Sequence, residues 1–357
     1  MDNFMRALIV DKDGSLSIRS DIPIPKPTRV QALVRVEACG VCNGTDIKVI
    51  HRAFKGVGPE QYPLILGHEA VGIVVEIGDK VKSYKVGDRV MIADNDPIGG
   101  YGSAWGAFSE YAIVDDVRAL EECGIVRGSP LFPANSPGQS VVDKNISPSQ
   151  AVAVIMFREV LSAIRYFDIG VDKSVAVFGC GPVGQMFIQF MHLLAIGPII
   201  AMDIVDEKLE IAKKCGADYV FNSSEEGFKD RIREIVPNGV DYAIDAVGLP
   251  LVINTSLEVI ADRGKICCFG VSPVLHADID WSKAPYNWTL VMQNVPYKEE
   301  ERGVYSQILV WIEKGVLNPD DYISDRYDFD HVIEAFEKAE RKEIAKKCVI
   351  LFPQPDA

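Results

Sequence analysis

Cys42, His68 and Glu69 are the residues in this sequence best suited to hold a transition metal. A thiolate and an imidazole are good zinc donors, and a carboxylate can complete or orient such a set. Cys42 lies in VEACGVCNGTD and the His68-Glu69 pair in PLILGHEAVG, both glycine-flanked turns where side chains from distant segments can converge. The chain has five histidines, and His68 is the one that combines an acidic neighbour with a preceding glycine and flanking apolar runs. Spacing alone leaves two readings open: a zinc site, or a histidine in an exposed turn or satisfied within a core.

A second constellation is Gly179, Gly181 and Gly184, a G-x-G-x-x-G placed directly after the apolar run SVAVFG and at the opening of an apolar helix. The first glycine allows a tight turn, the second lets a pyrophosphate approach the backbone, and the third permits close packing of helix on strand. The helix N-terminus then offers unpaired N–H groups to phosphate. Asp203 ends the next apolar run, PIIAMD, at the spacing of about 20 residues where a carboxylate receives ribose hydroxyls. It would repel a 2′-phosphate, and the following Ile204 and Val205 supply no arginine for one, so NAD is favoured over NADP. A nucleotide-free glycine turn, a mononucleotide site and an S-adenosyl site are the alternatives that the motif by itself leaves.

The elements needed to position these groups are legible. From Met5 to Val90 short β-branched runs such as RALIV, VQALVRVEA and AVGIVVEIG alternate with Gly, Pro and Asp turns, predicting an all-β sandwich or barrel. Residues 114–150, with RGSPLFPANSPGQS, predict an irregular surface loop. SPSQAVAVIMFREVLSAIRYF then has helical spacing. After it SVAVFG, PIIAMD, DYVFN, DYAIDAVG and GKICCFGV read as buried parallel strands, separated by helical patterns. Amphipathic helices at ERGVYSQILVWIEKGVL and DFDHVIEAFEKAERKE and a closing strand, KKCVILF, complete the chain.

The composition, 48% hydrophobic and 25% charged over 357 residues, is that of a globular protein with two domains. Its 51 acidic against 37 basic residues, a net charge of −14, repel phosphate backbones and anionic membranes, so neither nucleic acid nor a membrane is an expected partner. No leading apolar stretch of signal-peptide length occurs, and the cytosol is the expected compartment. Eight cysteines are too few for a disulfide scaffold. Cys180, Cys267, Cys268 and Cys348 sit among apolar residues and read as packing, and no second C-x-x-C follows Cys39 and Cys42 to build a four-thiolate structural zinc site.

In VEACGVC with GTD, YPLILGHEAVGIVVEIGDKV, YKVGDRV, WGAFSEY, VAVFGCGPVG, DEKLEIAKKCGADYVFN and DYAIDAVG, in that order, the chain resembles the medium-chain dehydrogenase/reductase family. Within it, the likeness is to the zinc-containing alcohol and polyol dehydrogenases. The resemblance implies an α/β plus β architecture: a GroES-like β-barrel catalytic domain (1–150), an inserted Rossmann NAD-binding domain with a doubly wound parallel sheet (151–295), and a C-terminal part of the catalytic domain (296–357). It further implies hydride transfer between NAD and a secondary alcohol, of a polyol, sugar or cyclitol, with zinc acidifying the alcohol. By the same carry-over Cys42 and His68 are zinc ligands, Glu69 is a third ligand or a carboxylate behind them, Asp46 orients a ligand, and Thr45 relays the proton. Gly179, Gly181, Pro182, Val183, Gly184, Asp203 and Lys208 hold the cofactor, and Val247, Gly248, Gly270 and Val271 line its nicotinamide half. One zinc per chain and a homodimer or homotetramer, paired through a sheet edge near GKICCFGVSPVL, are the remaining expectations.

The sequence departs from the family pattern in places. Three residues, Asn43, Gly44 and Thr45, separate Cys42 from Asp46 where two are usual; Lys48 stands where many members carry a relay histidine, with His51 a displaced substitute. Ile155 occupies the place of a further zinc-side Glu or Cys, and Glu159 follows one helical turn later. The segment ADNDPIGGYGSAWG lacks the cysteine quartet of a structural-zinc lobe, and its Asp94, Asn95 and Asp96 are candidates for binding hydroxyls. Trp105, Phe108 and Tyr111 are expected in a core or pocket wall. A zinc-free reductase acting on a conjugated carbonyl, and a non-catalytic NAD-binding protein, are the competing readings.

Overall fold

The computed structural model describes residues 3–274 and 276–354. It divides into two compact units: Met1–Arg158 with Lys298–Ala357, and Glu159–Tyr297. In the first, the β-branched runs form nine strands: β1 Phe4–Val10, β2 Leu16–Pro23, β3 Gln31–Val41, β4 Leu64–Ile65, β5 Ala70–Ile77, β6 Arg89–Ala93, β7 Gly102–Ser103, β8 Tyr111–Asp115 and β9 Ser140–Val141. One sheet has the order β2-β1-β4-β7. In the other, β3 is the axis. One edge pairs with β5 along most of its length, while its opposite edge takes β8 against residues 31–35 and a C-terminal strand against residues 38–41. Apolar side chains of these strands, among them Leu8, Val34 and Val36, fill one core together with Phe108 and Phe336 from outside them. The β-rich region is interrupted by a single turn of helix, α1 Asp46–Ile50, immediately after Cys42.

Residues 114–150 are the expected surface loop only in part: 121–135 are largely exposed and, from 123 on, irregular, but the stretch is not loop throughout. They contain the end of β8, helix α2 Val117–Glu122 and strand β9, which adds to β6. Asp116 caps α2 by accepting from the backbone N–H of Arg118 and Ala119. Ser136, Pro137, Gly138 and Gln139 are buried; Gln139 bridges Asp115 N and the Ile92 carbonyl. Exposure holds for RGSPLFPAN, whereas SPGQ turns inward on a compact path where the Gln139 side chain bonds to β8 and β6.

Helix α3 Pro148–Tyr166 opens with a reciprocal cap: Ser147 Oγ accepts from Gln150 N and the Gln150 side chain accepts from Ser147 N. In the second unit β10 Val175–Phe178, β11 Ile199–Asp203, β12 Tyr219–Asn222, β13 Val240–Asp245, β14 Ile260–Cys268 and β15 Thr289–Met292 form a wholly parallel sheet. Its order is β12-β11-β10-β13-β14-β15, with helices α4 Pro182–Leu193, α5 Asp206–Lys214, α6 Phe228–Ile235 and α7 Pro250–Leu257 as crossovers. Sequence order reverses at β10, so the ends of β10 and β13 form a topological switch point, the place where such sheets bind nucleotides. Strand β14 is not the edge, contrary to expectation: β15 covers it, with Leu290 and Met292 exposed. Leu275, the last residue of GKICCFGVSPVL, lies outside the described residues. The C-terminal segment supplies α8 Lys298–Glu313, β16 Ile323–Asp328, α9 Val332–Glu340 and β17 Lys347–Leu351, and β17 is the strand paired with residues 38–41 of β3.

Candidate functional site

In the first unit the ligand atoms of Cys42, His68 and Glu69 all lie within 4.8 Å of one another. Cys42 follows the end of β3, and His68 and Glu69 precede β5, its antiparallel partner, so the pairing of these strands brings residues 26 positions apart to one point. Asp46 holds this arrangement from below: Oδ2 accepts from the Cys42 backbone N–H at 2.9 Å, and Oδ1 lies 3.5 Å from His68 Nδ1. His68 Nε2 faces Glu69, 3.9 Å from Oε1. With Nδ1 toward Asp46, Nε2 is the nitrogen free for a metal, the arrangement common to metal-bound histidines. His68 Nδ1 and Asp46 Oδ1 are buried without a hydrogen-bond partner in this geometry. Burial alone would lower the His68 pKa, but Asp46 and Cys42 hold it well above the usual histidine value. The pocket thus favours a positive charge, and a thiolate, an imidazole and a carboxylate converging there fit zinc. Cys39, by contrast, is fully buried in β3, where burial pushes its thiol pKa far up, and it is not part of the donor cluster.

Lys347, on β17, was not anticipated. Its ammonium lies 2.8 Å from both Glu69 carboxylate oxygens and 3.2 Å from the Val41 carbonyl, and both side chains are buried. The one available signal was a lysine at the start of an apolar closing strand, in KKCVILF. Gly40 makes room for the pair, since a Cβ there would fall 2.0 Å from Glu69 Oε2. Glu69 is therefore both a neighbour of the donor atoms and the partner of an internal cation.

The remaining candidates divide. Thr45 is half-buried at the start of α1 and makes no side-chain cap there. Lys48 is half-buried on α1, its pKa lowered by burial and partly restored by Cys42. His51 is exposed and pairs with Glu340 at 2.5 Å, which makes it a surface group. Ile155 is buried, and Glu159 is not part of the donor cluster. Phe108 is core, while Trp105 stacks obliquely on the His68 ring at 5.1 Å between centroids.

In the second unit the glycine turn has the geometry its spacing implies. Gly179 has φ +94°, and a Cβ on Gly184 would fall 1.8 Å from the Gly179 carbonyl oxygen, so this approach of α4 to β10 tolerates no side chain. Around Gly181 there is open space; Pro182 then starts α4, followed by the half-buried Val183. Asp203 ends β11 and accepts from the N–H of Cys180 at 2.7 Å, Ile204 at 2.8 Å and Val205 at 3.1 Å. A carboxylate has about four acceptor positions, so this one anchors the turn and has one position left. Lys208 is exposed on α5 and its charge acts on the Cys180 thiol. After β13, Asp245 accepts from Val247 N and Gly248 N at 2.9 and 2.8 Å and shapes the turn that seats Gly248 against Gly270. Val247 is exposed and Val271 half-buried. The role of Asp245 went unnoticed in DYAIDAVG because it acts only on its own turn.

Two family models match the chain: the alcohol dehydrogenase GroES-like domain over residues 28–122 and the zinc-binding dehydrogenase domain over residues 182–300. The chain is 27% identical to the L-threonine 3-dehydrogenase of Pyrococcus horikoshii, over 94% of this chain and 96% of that one. It is 28% identical to the NAD-dependent alcohol dehydrogenase of Sulfurisphaera tokodaii, over 77% and 82%. Among solved structures, the 2R,3R-butanediol dehydrogenase of Bacillus subtilis superposes with a TM-score of 0.77 at 23% identity, covering 98% of this chain and all of that one. The two matched models follow the same order as the barrel and the parallel sheet. The chain belongs to the zinc-containing alcohol dehydrogenases of the medium-chain dehydrogenase/reductase family.

Proposed function

We propose that this protein is an NAD-dependent, zinc-requiring alcohol dehydrogenase that interconverts a secondary alcohol of polyol type and its ketone. The observation that carries this reading is the convergence of Cys42, His68 and Glu69 on one point, in a chain whose other unit carries a complete dinucleotide turn ending at an acidic residue. When bound, zinc supplies Lewis acidity that brings an alcohol's ionisation toward neutral pH, and NAD supplies the hydride acceptor. Cys42 and His68 are the residues that would hold the metal, with Glu69 a third donor when it leaves Lys347. Asp46 fixes the His68 tautomer and the Cys42 backbone together. Asp203 selects the unphosphorylated ribose, and Thr45 would pass the proton outward. We further propose one zinc per chain, because residues 94–110 contain no cysteine, and subunit pairing through β15, whose exposed Leu290 and Met292 form the apolar edge of the sheet.

Metal content measured alongside turnover tests the reading. Purified without chelator, the protein is expected to hold close to one zinc and to reduce NAD with 2,3-butanediol or sorbitol, and Cys42→Ala should lose both. Absence of zinc from active native protein would move the assignment to a zinc-free reductase.

A further inference from the structure

The first unit contains a cavity of about 950 Å³ that the metal cluster does not use, at the upper end of the range for small-molecule sites. Its wall includes Trp105, the residue stacked on His68, and Phe54, which meets Trp105 edge to face at 5.8 Å. The cavity thus begins one aromatic ring away from a metal donor. The same wall carries Asp94, Asp96 and Asp115. Asn135 Nδ2 donates to Asp94 at 2.7 Å and Gln31 Nε2 to Asp115 at 2.9 Å, so amide groups orient these carboxyls. Among the described residues none of the three forms an ion pair. Asn95, also in the wall and 5% exposed, has a side-chain oxygen without a hydrogen-bond partner.

This chemistry suits a neutral, hydroxyl-rich ligand. Burial first, and then repulsion among the carboxylates, pushes Asp94 up to about 7 and Asp115 up to about 6. Near neutral pH these carboxyls can therefore both accept and donate hydrogen bonds, as a sugar hydroxyl requires. Exposed Lys26 and Lys55 share the wall and oppose a cationic ligand, while the acids oppose an anionic one. The aromatic faces of Trp105 and Phe54 would cover the C–H surface of a ring.

We propose that this cavity holds the non-reacting, polyhydroxylated remainder of the substrate, so that the enzyme selects glycosylated polyols over short diols. The inference rests on the dehydrogenase reading above. The test compares kcat/KM for maltitol, a glucosyl hexitol, with that for 2,3-butanediol on zinc-loaded enzyme. The wild type should prefer maltitol by about tenfold or more, the value of one or two buried hydrogen bonds to charged groups. Asp94→Ala, and Ala134→Trp at an exposed position of the wall, should each cut maltitol turnover by about tenfold while leaving butanediol within about twofold. Equal preference in the wild type, or equal losses on both alcohols, would overturn the proposal. Calorimetric binding of maltitol to the zinc-loaded protein requires no turnover. Binding that Ala134→Trp abolishes, in a protein that oxidises no alcohol, would uphold the cavity and remove the dehydrogenase reading; no binding would remove the cavity assignment itself.

Discussion

Replacing Lys347 by methionine tests whether the buried pair with Glu69 holds the donor cluster in place. The ammonium contacts both carboxylate oxygens at 2.8 Å, and the two residues are 7% and 1% exposed. Removing one partner leaves a carboxylate in the interior without its cation, which costs about 3–5 kcal/mol, whereas replacing both members by apolar residues is close to neutral. At roughly 2–4 °C per kcal/mol for a unit of this size, Lys347→Met should lower the thermal midpoint of metal-free protein by about 6–20 °C. Lys347→Met combined with Glu69→Leu should recover most of that loss. Zinc adds a second readout: if the released Glu69 turns to the metal, the penalty shrinks in zinc-loaded protein, because binding to the folded state alone stabilises it. Scanning calorimetry of the four proteins, with and without zinc, gives the cycle. A single-variant shift under about 2 °C in the metal-free protein would refute the reasoning, since it would mean that Glu69 protonates or reaches water at little cost.

Other outcomes follow from the same geometry. Gly184→Ala should impair folding, because its Cβ would strike the Gly179 carbonyl at 1.8 Å, whereas Gly181→Val, in open space, should keep the wild-type melting temperature and weaken NADH binding by about tenfold or more in a fluorescence titration. Ile204→Arg, at an exposed position beside Asp203, should raise the NADP-to-NAD ratio of kcat/KM, and an unchanged ratio would argue against Asp203 as the ribose carboxylate. The raised carboxyl of Asp94 favours the folded state when protonated, so its stabilising contribution is complete below pH 4 and is lost as pH rises toward about 7. Asp94→Asn should therefore flatten the fall in melting temperature between pH 4 and 7, and a curve parallel to wild type would exclude that linkage.

Much of this molecule is written locally. The alternation of apolar runs with helical patterns between Ser174 and Cys268 yields β10 to β14 and α4 to α7, because a strand buried on both faces and a crossover helix each leave a periodic trace. The glycine turn was recognisable from residues a few positions apart and Asp203 from its spacing to that turn, whereas the three candidate donors, 26 and more positions apart, were singled out by residue type and by the family's motifs. Strand β15 was missed: its four residues, exposed at an edge, carry too little pattern to be separated from loop. Within 114–150 the exposed stretch 121–135 was legible, but the buried turn 136–139 was not, because Pro and Gly mark a change of chain direction, which says nothing about whether the turn is covered.

What the sequence by itself determined is the identity of the candidate donors and the elements that present them: Cys42 after a long strand, His68 and Glu69 before its partner, and a glycine turn with open space at Gly181. What only the tertiary structure decided is the company those groups keep. Lys347 reaches Glu69 across 278 residues, and the wall around Trp105 is assembled from β2's exit, the turn after β6, β8 and the segment at 130–135. Contacts of this kind leave no period in the chain, because they arise from the closing of β17 onto β3 and the packing of turns against one another, which burial and hydrogen-bond satisfaction of the whole unit select together.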